Sequence, residues 1–165
     1  MIKVEPLISA AIPNLKIVIA GRGENLDQYK EKIKNKANFK FYNHFIGVKE
    51  VSKFFQKASI IILPYKEATQ SGLIPLAYSF SKSVVATSVG GLQEQMQDGI
   101  QGFLTPYGNE KLFASKIIQL LKDDELRAKL GNNSRKYYDT VLSGSEISSS
   151  IIKTYKKTLQ LIKKK

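Results

Sequence analysis

The side chains with chemistry to offer gather in three short stretches, each set between an apolar run and an amphipathic one. Gly21-Arg22-Gly23-Glu24 follows Lys16–Ala20, and Glu67-Ala68-Thr69-Gln70-Ser71-Gly72-Leu73 follows Ser59–Leu63. Ser88-Val89-Gly90-Gly91, with Glu94 beyond, follows Ser83–Ala86. Glycine lets a ligand approach the backbone, and free N–H groups at a helix start attract an anion. The first stretch suits that role or a plain tight turn. In the second, Ser71 is an N-cap by residue type, and with the N–H groups of Gly72 and Leu73 it would cradle a diphosphate. A cap and an anion use neighbouring donors, so both roles fit. Thr69 and Gln70 make this loop more polar than capping requires. In the third, Gly90-Gly91 permits positive φ and tight contact, while Glu94 is equally well placed against a helix dipole. His44, within Asn43-His44-Phe45-Ile46, either lines a pocket or serves as a structural residue among aromatics.

Other chemistries are excluded by what the chain does not contain. There is no cysteine, hence no disulfide, thiolate metal site or cysteine nucleophile, and a single histidine weighs against an imidazole-rich zinc site. No paired carboxylates of glycosidase type, no Ser-His-Asp order, no metal-binding cluster and no P-loop stand out. The chain offers binding groups more than catalytic ones, and no metal or cofactor is expected.

The elements around these stretches alternate between short β-branched runs and amphipathic ones, which predicts a parallel sheet covered by helices. Strands are expected at Lys16–Ala20, Phe39–Tyr42, Ser59–Leu63, Ser83–Ala86 and Gly102–Thr105. Helices are expected over about 26–37, from Leu26, Tyr29, Ile33 and Ala37 at helical spacing, around Val51–Ala58, and over Gly72–Phe80 with Pro75 tolerated in the first turn. Three more follow at about 108–121, 123–139 and 145–163. Val4–Ile12 reads as a helix with no strand before it, whereas a doubly wound fold normally opens with a strand. Either the chain is a fragment or the sheet is one strand short.

With 165 residues, 42% hydrophobic and 24% charged, residues 1–165 make one globular domain. The net charge is +12, and residues 153–165 carry six lysines and no acid, half of the excess. Such a tail suits an anionic surface, the cytoplasmic membrane leaflet or nucleic acid, or is simply a solvated helix face. No apolar run reaches membrane-spanning length and no signal-peptide pattern is visible, so a cytoplasmic protein is expected.

Taken in order, IVIAGRGE and then FYNHFIGVKEVSKFFQKASIIILPYKEATQSGLIPLAYSFSKSVVATSVGGLQEQMQDGIQGFL resemble the C-terminal domain of the family 4, or group 1, retaining glycosyltransferases. The resemblance runs from about Val4 to the end and is most specific from Ser59 to Leu104. It implies the C-terminal half of a GT-B fold, in which two Rossmann-like domains face a cleft and this one binds a UDP- or GDP-sugar. Gly21, Arg22 and Gly23 would then lie near the diphosphate or donor sugar. Gln70, Ser71, Gly72 and Leu73 would meet the diphosphate, His44, Phe45 and Ile46 would flank the base, and Gly90, Gly91 and Glu94 would complete the pocket. The last helix would reach towards an N-terminal partner domain.

The chain departs from the family pattern in two places. The family places two glutamates with seven residues between them, starting in the second loop; here those positions fall at Thr69, with Glu67 close by, and at Ala77, which has no carboxylate. The family's arginine and lysine, on the first strand and turn, would precede Met1, leaving Arg22 and Lys66 as the nearby cations. Cations at a leaving diphosphate do the electrostatic work of such a reaction. The expectation is a donor-binding half of a hexosyltransferase acting on a glycan or lipid-linked acceptor, inactive by itself. The alternatives are half of a sugar-nucleotide epimerase, which needs more acid and base groups, and a basic nucleic-acid module. The second is disfavoured because the aromatics fall on core stripes rather than among exposed basic residues, so nucleic acid is not an expected partner.

Overall fold

In a computed structural model, which describes residues 1–24 and 26–162, five parallel strands are interleaved with helices. The order is α1 (Glu5–Ser9), β1 (Ile17–Ala20), α2 (Leu26–Glu31), β2 (Phe39–Tyr42), α3 (Val48–Lys57), β3 (Ile61–Leu63) and α4 (Leu73–Ser79). It continues with β4 (Val84–Thr87), α5 (Leu92–Gln95), β5 (Gly102–Thr105), α6 (Glu110–Lys122), α7 (Asp124–Tyr137) and α8 (Gly144–Ile162). This is the expected α/β architecture, the C-terminal half of a GT-B fold.

The core lies on both faces of β4, whose four residues are all buried. Alternation along a strand sends successive side chains to opposite faces. Val85 accordingly joins Ile8, Ile17, Phe103, Phe113, Ile117 and Leu120, whereas Val84 and Ala86 join Phe55, Leu63, Ile74, Tyr78 and Leu92. The first cluster is roofed by α1 and α6 and the second by α3 and α4. A continuous apolar run such as Val84-Val85-Ala86 is what a strand covered on both faces requires.

The strands form two sheets, not one. β1 pairs in parallel with β2, with Ile17 opposite Phe39 and Ala20 opposite Tyr42, while β3, β4 and β5 make a separate parallel sheet in that order. β1 and β3 are not bonded to each other. In a doubly wound sheet of order 3-2-1-4-5-6 the first strand lies between the second and fourth. The parallel pairings β1–β2, β3–β4 and β4–β5 are each adjacent pairs of that kind of order.

Some boundaries differ from expectation. The helix predicted over about 26–37 ends at Glu31, followed by a 3-10 turn at Lys36–Asn38. Ile33 is buried in that connection and Ala37 is exposed. The Asn38 amide donates to the buried Glu5 carboxylate at 2.6 Å, a tertiary bond that holds the turn against α1 in place of further helix. The predicted helix over 123–139 gives way at Tyr138–Leu142 to a wider π turn before α8 begins. Elsewhere caps mark the starts by type: the side chains of Asn109 and Asp123 accept from Leu112 and Leu126 N–H at 3.0 and 2.8 Å.

Replacing Glu5 by alanine strands the buried Asn38 amide. The expected cost is about 1–3 kcal/mol, the desolvation penalty of an unpaired buried polar group, read from urea denaturation. An unchanged midpoint would show that the bond does not hold α1.

Candidate functional site

All three polar stretches lie at the carboxyl ends of strands, where open α/β sheets bind ligands. The turn after β1 opens with Gly21 at φ 139°, a backbone state that favours glycine, and its N–H donates to the Tyr42 carbonyl at 3.0 Å. The Gly23 N–H is not free for an anion, contrary to the simplest reading of the glycine pair. It donates to Asn43 Oδ1 at 2.9 Å, tying the turn after β1 to the one after β2. Beside this tie lies an open depression of about 520 Å³ lined by Gly23, Leu26, Asp27, Gln28, Lys30 and Asn43. Residues of the other two loops do not line it.

His44 turns to the start of α3 and is exposed. Its Nε2 lies 3.1 Å from Glu50 Oε1, and Glu50 Oε2 also accepts the Gly47 N–H at 3.4 Å. The hydrogen bond to His44, then the Gly47 N–H and the nearby Lys53, hold the Glu50 carboxyl below its ordinary range. Of the stretch expected to flank a base, His44 is thus engaged in capping α3, whereas Phe45, 84% exposed, presents a free aromatic face.

The loop between β3 and α4 is held from several sides. Thr87 Oγ1, at the end of β4, donates to the Tyr65 carbonyl at 2.6 Å. The Gln95 side chain clasps Ser71: its Oε1 accepts the Ser71 N–H at 2.7 Å and its Nε2 donates to the Ser71 carbonyl at 3.2 Å. Ser71 is buried, its Oγ lies 3.2 Å from the Tyr65 hydroxyl, and the same Oγ accepts the Leu73 N–H at 3.3 Å. Of the Gly72 and Leu73 N–H groups expected to be free, that of Leu73 is used internally, as is the N–H of Ser71 itself. At the helix start Gly72 stays exposed, with open space where a side chain would stand. Glu67, Thr69 and Gln70 are exposed at the loop tip, and Arg22 and Lys66 are exposed near the strand ends. Ala77, one of the family's two glutamate positions, is fully buried in the α4 core, where a carboxylate would be desolvated without a partner.

Gly90, at φ 48°, and Gly91 complete the arrangement. A Cβ on Gly90 would overlap the Ala68 carbonyl, and one on Gly91 the Thr69 carbonyl. The pair lets the third loop press on the backbone of the second. Glu94 is exposed one turn into α5 and forms no ion pair among the described residues. Tyr65, Thr87 and Gln95 carry much of this geometry and were not singled out by sequence. Gln95 is far from Ser71 in the chain and nothing in local spacing connects them; only a threonine at the end of a buried strand hints at Thr87. Tyr78 is fully buried under the same loop, and burial pushes its hydroxyl well above the ordinary tyrosine range.

The polar loops of the two parallel sheets lie at the strands' carboxyl ends, the end at which open α/β sheets place their ligands, and a glycine pair shapes one of them. The comparisons agree: the family model described as "Glycosyl transferases group 1" matches residues 1–137, and the chain belongs to that family. The putative glycosyltransferase EpsD of Bacillus subtilis is 30% identical over 142 residues, covering 82% of this chain and 36% of that protein. N-acetyl-alpha-D-glucosaminyl L-malate synthase of Bacillus anthracis is 29% identical over 121 residues, covering 73% of this chain and 32% of its own length. Among solved structures, Anabaena HepE in complex with UDP superposes with a TM-score of 0.80 at 19% identity, over 94% of this chain and 44% of HepE. The C-terminal domain of the group 1 glycosyl transferase LpcC from Francisella tularensis gives 0.76 at 19%, over 87% of this chain and 77% of that one. The chain thus spans about a third of the length of those two curated relatives.

Replacing Gln95 by alanine removes both arms of the Ser71 clasp. With a net hydrogen bond worth about 1 kcal/mol, hydrogen exchange at the Ser71 amide is expected to accelerate about fivefold, while the capped Leu112 amide stays unchanged. An unaltered Ser71 rate would mean that something else holds the loop.

Proposed function

We propose that this chain is the donor-binding half of a retaining glycosyltransferase. It would hold a UDP- or GDP-sugar at the carboxyl ends of β1, β3 and β4, opposite a partner domain that holds a glycan or lipid-linked acceptor. The observation that carries this reading is the β3–α4 loop. Thr87, Gln95 and the Gly90-Gly91 contact fix its backbone, while Glu67, Thr69, Gln70 and Gly72 remain exposed at its tip. A site whose frame is rigid before ligand arrives loses less entropy on binding. The UDP complex of HepE supports a nucleotide diphosphate as the ligand class.

In this reading the diphosphate sits over the start of α4, where Gly72 offers backbone without a side chain, and Phe45 stacks on the base. Glu67 or Thr69 faces the donor sugar. Arg22 and Lys66 are the cations nearest the leaving group, and Gly21 and Gly23 let the β1 turn approach it. Glu94 completes the rim. The reaction would be transfer of a hexose with departure of the nucleoside diphosphate, the developing charge being met by cations and backbone amides. By itself the chain would bind donor weakly and transfer nothing, because acceptor groups and the strongest cations lie outside it.

The last helix supports a second part of the proposal. Ile147, Ile151, Tyr155, Leu159 and Ile162 of α8 fall on one face and are all exposed, Tyr155 by 69%, while Lys153, Lys156 and Lys157 fall on the other. Lys163, Lys164 and Lys165, also part of the basic tail expected at 153–165, lie outside the described residues. We infer that the apolar stripe docks on the partner domain and that the lysines face an anionic membrane, at the inner face of the plasma membrane. Among the described residues no helix is long and apolar enough to cross a membrane.

Titration calorimetry against UDP, GDP and ADP tests the donor site. Saturable binding of one nucleotide is expected, weakened about tenfold or more by Gly91→Val, which drives the second loop outward at a cost above 1.4 kcal/mol. No saturable heat with any nucleotide from folded protein would remove the donor-site reading. For the basic tail, deletion of residues 153–165 should abolish sedimentation with phosphatidylserine-containing vesicles at low salt and leave neutral vesicles unaffected. Equal vesicle binding by the shortened chain would end that part of the proposal.

A further inference from the structure

At the amino ends of β3 and β4, the opposite ends from the candidate site, Ser59, Ser81, Lys82, Asp124 and Arg127 line a depression of about 270 Å³. The turn that carries Ser81 and Lys82 is fixed by its backbone. After α4 ends, the Ser81 N–H donates to the Tyr78 carbonyl and the Lys82 N–H to the Ala77 carbonyl, both at 2.9 Å. Such a pair of bonds closes a helix on a left-handed residue, usually glycine, and here that residue is Ser81 at φ 56°. α7 holds the turn from outside. A Cβ on Gly131 would overlap the Ser81 carbonyl, and Arg135 Nη1 donates to the Ser79 carbonyl at 2.7 Å.

Two cations meet at this depression. Lys82 Nζ donates to the Gln56 carbonyl at 3.1 Å, and Arg127 Nη1 to the Leu120 carbonyl at 2.9 Å. Those bonds anchor both heads and leave further donors on each. Burial, then the Arg127 charge, hold the Lys82 ammonium below the ordinary lysine range. Lys82 forms no ion pair among the described residues. Asp124 is the one carboxylate on the lining, and it lies 2.7 Å from Arg127 Nη2. Its side chain is 83% exposed, and a pair so open to water is held weakly.

We propose that this depression is a separate anion site, which takes the phosphate group of a small phosphate monoester. Two like charges turned on one hollow repel each other, and a dianion between them is attracted by both. The planar Arg127 fork suits two phosphate oxygens, and Lys82 meets the group as a compact charge. Ser59 and Ser81, both exposed at the rim, add hydroxyl donors. At about 30 Å³ per water, the depression is roomier than a phosphate group alone requires, which leaves space for a small substituent. A phosphate bound there ties the α3–β3 turn, the α4–β4 turn and α7 together. The site shares no residue with the loops at the carboxyl ends and does not depend on what those loops bind.

The test is an NMR titration of the full chain with glycerol 3-phosphate at constant ionic strength, with chloride as control. The expected result is a joint, saturable shift of the Ser59, Ser81 and Lys82 amides and of the Arg127 Nε–H. Lys82→Met keeps the apolar stem and removes the charge, and it should weaken binding about fivefold or more. Asp124→Asn removes the competing carboxylate and should tighten binding about threefold. Should Lys82→Met not fold, Asp124→Asn alters only an exposed side chain and gives the reading by itself. Dihexanoyl phosphatidic acid, a phosphate monoester with short acyl chains, separates the sources. Tighter saturation by it assigns the site to a lipid headgroup, and tighter saturation by glycerol 3-phosphate assigns it to a soluble ester. Shifts that grow in proportion to concentration, or that chloride reproduces, mean an adventitious ion only and overturn the proposal. Unchanged affinity in Asp124→Asn overturns it as well. Saturation at the Gly72 amide without movement at Ser81 places the anion in the candidate site and overturns this one, so the two readings fail separately.

Discussion

No side chain stands between Gly90-Gly91 and the carbonyls of Ala68 and Thr69, and the shape of the candidate site depends on that contact. Two backbone segments that touch directly can hold a loop without covering its outer face. The second loop is thereby fixed from beneath by the third, from one end by Thr87 and from the other by Gln95. Its polar side chains are left outward. A bulkier pair at 90–91 would displace the loop whatever the outward residues were.

The same frame explains why so few groups in the site are free. Ser71 and Leu73 spend their N–H groups on the fold, Gly23 spends its own on Asn43, and His44 is paired with Glu50. Buried or half-buried polar groups without partners are costly, so a loop this polar organises itself before it meets a ligand. Gly72, Glu67, Thr69, Gln70, Arg22 and Phe45 are among the residues that remain exposed.

The two-sheet arrangement sets the limits of the domain. Strong packing on both faces of β4 unites β3, β4 and β5 with α4, α6 and α7, while β1 and β2 join the first core cluster chiefly through Leu15 and Ile17. α1 bridges the two parts by burying Val4 and Ile8 and by its Glu5–Asn38 bond. An apolar sheet edge and an apolar helix face on α8 are both exposed.

Much was legible in the sequence because its signals are local. The continuous run at 83–86, the alternation of strand and helix, the glycine pair and the order of the loops set the α/β class, all five strands within a residue or two, and the placement of the polar loops at strand ends. Ala77 was visible as a departure from the family pattern, and its burial gives the reason. Three things required the folded chain. The helix after β1 stops early because Asn38 is drawn to Glu5, 33 positions away. Ser71 loses its free N–H to Gln95, 24 positions away. Gly90-Gly91 makes a direct backbone contact with the Ala68–Thr69 segment of another loop. Periodicity and residue type record what a segment does with its own neighbours and with the core in general. They carry no record of which distant partner claims a particular hydrogen bond, because that is decided only when tertiary packing brings the two groups within bonding distance.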